Sequence, residues 1–138
     1  MLKEYVDHVA EETGLNEEEA RAALGIVLNA ADRQGAAYAE LVFRKVPGAR
    51  TLAAKSGANV GAATGLIARL IERTPGGQSA VAFQMVRDLQ KLGLTHHQIG
   101  VMFPVVAVFA RERLGFKASG HLGDFLGSGE ALDELQVA

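Results

Sequence analysis

The chain has 138 residues, 49% of them hydrophobic and 22% charged, with a net charge of −2 and no cysteine. That length fits one domain, and a domain of this size buries about two-thirds of the surface its unfolded chain exposes without help from metal or disulfide. The balance excludes general disorder and a basic field for nucleic acid, and the lack of cysteine excludes disulfide staples and thiolate metal sites.

Leu2, Tyr5, Val6, Val9 and Ala10 follow the spacing of an amphipathic helix, which Gly14 ends. Asn16 then caps a second helix, with Glu17, Glu18 and Glu19 in its first turn, where the helix dipole favours negative charge. Arg21 stands four residues after Glu17, at pairing distance on a helix. Gln34-Gly35 closes that helix, and a shorter one through Tyr38, Leu41, Val42 and Lys45 stops at Val46-Pro47-Gly48. Residues 50–56 read as a further helical turn. Residues 57–74 read as a regular helix with Val60, Ala63, Leu66, Ile67, Leu70 and Ile71 along one face.

Thr74-Pro75-Gly76-Gly77 is the clearest break, a turn between two halves (residues 1–74 and 78–115) of a single domain. Val81, Met85, Leu89 and Leu92 line the next helix, which Gly93 ends. Thr95 opens the last long helix, with Leu94 and Ile99 at the positions of a hydrophobic staple. Residues 99–110 carry no polar side chain. Twelve residues fall short of the about 20 a bilayer needs, so this reads as the central buried helix, kinked at Pro104 with Gly100 giving the kink room. Residues 116–138 are rich in glycine and leucine and read as a tail that docks on the body or on a neighbouring subunit.

One signature occurs twice. Gly14-Leu15-Asn16 is followed by Glu19, and Gly93-Leu94-Thr95 by Gln98; the apolar positions behind each copy match at an offset of 79 residues. With no period-2 alternation anywhere, the expected fold is all-α, a single bundle of about six to seven helices in which two related helical hairpins surround the central buried helix.

Chemistry is sparse by comparison. His96 and His97 are adjacent on a helix, about 100° apart, so they do not chelate one metal and read as solvated; His8 and His121 join them only through folding. Gly57, Gly61 and Gly65 recur every four residues, a strip suited to close helix packing or, with Pro104, to a ligand groove. Arg44, Lys45, Arg50 and Lys55 form a basic cluster with few aromatics to stack bases, which favours a solvated face over nucleic acid. No Gly-x-Ser-x-Gly elbow, His-Glu-x-x-His or phosphate loop is present.

The helix-boundary motifs also carry a resemblance. The Val46-Pro47-Gly48 turn after Leu41, the Leu92-Gly93-Leu94-Thr95 start, Phe103-Pro104-Val105-Val106, the Gly14-Leu15-Asn16 start and Leu122-Gly123-Asp124-Phe125-Leu126-Gly127 together make residues 15–127 similar to the bacterial VcgC/VcgE-like family of unknown function. The resemblance implies a small helical protein and transfers no activity.

These readings lead to two expectations. The first is a non-enzymatic, cytoplasmic interaction or scaffold protein without cofactor, metal, nucleic acid or membrane span. It would associate with itself or another protein through Phe116, Leu122, Phe125, Leu126, Leu132 and Leu135. The alternative is a carrier of a lipid or cofactor in an apolar interhelical pocket at Gly57, Gly61, Gly65 and Pro104.

Overall fold

A computed structural model describes residues 1–117. Seven helices account for most of them: α1 (Leu2–Thr13), α2 (Glu17–Arg33), α3 (Ala37–Lys45), α4 (Ala49–Asn59), α5 (Leu66–Glu72), α6 (Pro75–Leu92) and α7 (His96–Leu114), with no strand among the described residues. The fold is all-α, as the periodicity requires.

The doubled start signature is real at the level of atoms. The Asn16 side chain accepts from the Glu19 amide at 2.8 Å while Glu19 accepts from the Asn16 amide at 3.1 Å. Thr95 and Gln98 repeat the exchange at 3.1 and 2.9 Å. Gly14 and Gly93, which end the preceding helices, both adopt the left-handed conformation that glycine takes without strain. Gln98 also donates to the Thr13 carbonyl at 3.2 Å, which ties the start of α7 to the end of α1. Asn16→Ala and Thr95→Ala are each expected to lower the unfolding free energy by about 1 kcal/mol, read as a shift of the urea midpoint at unchanged slope.

The central position expected of α7 is taken by α2. α2 lies at the centre and packs against α1, α3, α4 and α6. Every residue from Ala23 to Ala31 is buried. The reason is size: Ala20, Ala23, Gly25, Ala30 and Ala31 let neighbouring backbones come close on several sides. α7 is buried along much of its length, but Gly100 and Pro104 lie on an exposed side. A side-chain carbon added at Gly100 would meet nothing, so the kink needs no room from that glycine.

Tyr5 locks α1 to α7 and α3. Its hydroxyl donates to the Val106 carbonyl at 2.8 Å and lies 2.6 Å from the Tyr38 hydroxyl, and its ring stacks on Phe109 at 4.1 Å. Burial pushes both phenols well above their ordinary pKa, so the pair stays protonated at all physiological pH values.

The helix expected over residues 57–74 is broken. α4 ends at Asn59, and Gly61 and Gly65 take positive φ (73° and 101°) in the turn before α5. No single described helix is long and apolar enough to cross a membrane; α6 and α7 together reach that length and composition, but they are bent by 116° at the break between them.

Candidate docking face

Helix α5 is mounted with its polar side inward. At about 100° per residue, Leu66, Ile67, Leu70 and Ile71 fall within one broad stripe, and Glu72 falls roughly opposite its centre. In a soluble bundle the stripe would face the core. Here Leu66 is 76% exposed, Ile67 74%, Leu70 62% and Ile71 60%, whereas Glu72 is buried. Phe83, on the α6 helix that packs against α5, is 63% exposed. Apart from Met1, these five side chains are the exposed large hydrophobics among the described residues.

A dense polar joint holds α5 this way round. Arg33, at the end of α2, donates through Nε to Glu72 Oε2 at 2.8 Å and through Nη2 to the same oxygen. Arg69 donates to the other carboxylate oxygen at 3.0 Å. Burial opposes ionisation of Glu72, but the two guanidinium groups outweigh it and hold the carboxyl below its ordinary pKa. Gln34 Nε2 donates to the Glu72 carbonyl at 3.0 Å. Arg73 donates to the carbonyls of Arg33 and Asp32 at 3.1 and 3.3 Å, placing a cation where the α2 dipole is negative. On the other side, Thr74 Oγ1 donates to the Ile71 carbonyl at 2.7 Å and accepts from the Gly77 amide at 3.2 Å. A side chain at Gly77 would fall 2.7 Å from the Glu72 Cα, so only glycine lets α6 start there.

The residues singled out from sequence are distributed elsewhere. Gly57 lies on α4 against Asn29 of α2, Gly61 and Gly65 lie in the exposed turn, and Pro104 is on α7. They do not form one strip or one groove. Pro104 instead borders an open depression of about 230 Å³ with His8, Glu12, Val105 and Val108. A larger groove of about 360 Å³ runs between α2, α4 and α6, lined by Ala22, Ile26, Val60 and Leu92 with Ser56, Asn59, Asp88 and Lys91. Phe116 packs back on the core, its ring 5.8 Å from that of Tyr38. Leu122, Phe125, Leu126, Leu132, Leu135 and His121 lie outside the described residues.

His96 and His97 are exposed on the first turn of α7, while His8 Nε2 lies 3.0 Å from the Val105 carbonyl oxygen on α7. No group of three His, Asp or Glu able to hold a metal occurs among the described residues. In the basic cluster, Lys45 donates to the Leu114 carbonyl at 3.0 Å and Arg50 stands 4.6 Å over the Phe43 ring, leaving Arg44 and Lys55 as exposed charges.

Sequence reasoning missed α5 because helical spacing identifies an apolar face without saying what covers it. The decisive partner of Glu72 is Arg33, 39 residues away. No family model matches the chain, and no curated protein or solved structure is detectably similar to it. The resemblance to the VcgC/VcgE-like family therefore rests on the helix-boundary motifs alone.

Proposed function

We propose that this chain is a non-enzymatic interaction protein that associates with a second copy of itself through the apolar stripe of α5 and Phe83. One observation carries the reading: α5 presents four large apolar side chains to solvent while the buried Arg33–Glu72 ion pair fixes its polar side against α2. Exposed apolar surface of this kind, amounting to a few hundred Å², is often a site of association. Ile67→Glu with Ile71→Glu in the full chain is expected to weaken self-association at least about tenfold, measured by light scattering over a concentration series. Both side chains are well exposed, so the melting temperature should barely move. An unchanged mass at every concentration would sink the proposal.

A second reading, a small-molecule carrier, is favoured by the groove between α2, α4 and α6, whose size lies in the range of ligand sites. Its check is native mass spectrometry of the protein purified without denaturation; an apo mass alone, with no thermal shift across a lipid and cofactor panel, counts against it.

A further inference from the structure

We infer that the α5 face receives residues 122–137 of the second copy, each chain lending this segment to the other. The inference rests on the self-association proposed above and names the segment that engages the face.

Charge is the first argument. Residues 66–87, from the start of α5 to one turn beyond Phe83, carry Arg69, Arg73 and Arg87 and a single acidic side chain, Glu72, which is already paired with Arg33 and Arg69. Residues 118–138 carry Asp124, Glu130, Asp133 and Glu134 and no Lys or Arg, which leaves residues 1–117 at +2. Leu122, Phe125, Leu126, Leu132, Leu135 and Val137 interleave with those acids, so the segment offers apolar contacts for the stripe and carboxylates for Arg73 and Arg87, both exposed beside it or one turn beyond Phe83.

Area is the second argument. A stripe of a few hundred Å² laid on its own copy falls short of the about 800 Å² per partner found in standard interfaces. Reciprocal exchange supplies two such contacts in one two-fold assembly, and the same patches meet on both sides.

Reach is the third. The described chain ends at Lys117, which lies in a groove with Ala37 at the start of α3. Ala37 follows Gly35 by two residues, and Gly35 lies against Arg73, the residue that ends α5. The last described residue thus stands near the α2–α3 turn that touches Arg73, and a stretch of 21 residues spans up to about 70 Å when extended, ample for reaching the α5 of a neighbouring copy.

Because the chain has no cysteine, introduced thiols report the pairing directly. Full-length chains carrying Ile67→Cys are mixed with full-length chains carrying Leu126→Cys and oxidised gently. The expected product is a covalent heterodimer joining the two variants, in clear excess over either homodimer, and weakened when Asp133→Asn and Glu134→Gln are added to the second chain. A dominant Ile67→Cys homodimer means that α5 meets α5: the inference falls and the self-association reading stands. If a chain carrying both Ile67→Cys and Leu126→Cys forms only an internal disulfide, and no heterodimer appears in the mixture, the segment covers its own α5 and the exchange is refuted. No crosslink in the mixture, together with wild-type protein that stays monomeric by light scattering, overturns this inference and the proposed function together.

Discussion

Glu72→Ala is expected to destabilise the protein by about 3 kcal/mol, the lower end of what breaking a buried ion pair costs. The loss comes less from missing attraction than from leaving Arg33, itself buried, without its carboxylate. Arg33→Met combined with Glu72→Leu removes both charges together and should restore most of the stability, since an apolar pair of similar volume often replaces a buried ion pair without loss. Denaturant titration of the three proteins checks the order. The pH dependence follows from the same joint. Glu72 titrates below its ordinary value of 4.5, so its contribution is fully present above that pH and is lost as acid carries the solution down through the lowered folded value. In Glu72→Ala this part of the acid sensitivity should vanish. Loss of the joint also frees α5 to turn, so Glu72→Ala is expected to weaken self-association although it lies on the face opposite the apolar stripe.

Gly25→Leu is the second large effect, with an expected cost of about 3 kcal/mol or more. A carbon at position 25 already stands 3.0 Å from the Ser56 Cβ and 3.2 Å from the Leu52 Cδ1, before the rest of leucine is placed. Its counterpart Gly57 packs in the opposite sense, where an added carbon falls 2.9 Å from the Asn29 Cγ. Helices α2 and α4 thus meet through reciprocal gaps, glycine against a small polar side chain on each side. Gly100→Ala provides the opposite sign: it is exposed, meets nothing, and should gain about 0.5–1 kcal/mol from helix propensity alone. Urea midpoints for the pair separate crowding from propensity.

These two sites mark where the sequence was legible and where it was not. Helix boundaries are local: Asn16 with Glu19 and Thr95 with Gln98 announce themselves within four residues, and both boxes form. The all-α class follows from the same periodicities. What a helix packs against is not local. The charged first turn of α2 suggests a surface helix, yet its small residues draw four neighbours around it, and the more apolar α7 is left with an exposed side at Gly100 and Pro104. Glycine spacing misled for a related reason. Gly57, Gly61 and Gly65 share a period, but only Gly57 packs within a helix, while the other two use their freedom at positive φ to break one. The α5 face was visible as Leu66-Ile67 and Leu70-Ile71; its outward orientation depended on Arg33, far away in the chain.

The central place of α2 also ranks the molecule by how it opens. Amides near its middle, such as Val27 and Leu28, lie under α1, α3, α4 and α6, so their exchange with deuterium requires global unfolding. Helix α5 is two turns long and rests on a polar joint, so its amides should exchange through a separate, cheaper opening that leaves α2 protected. Association that covers the α5 stripe would slow this opening and leave the α2 amides to report global stability.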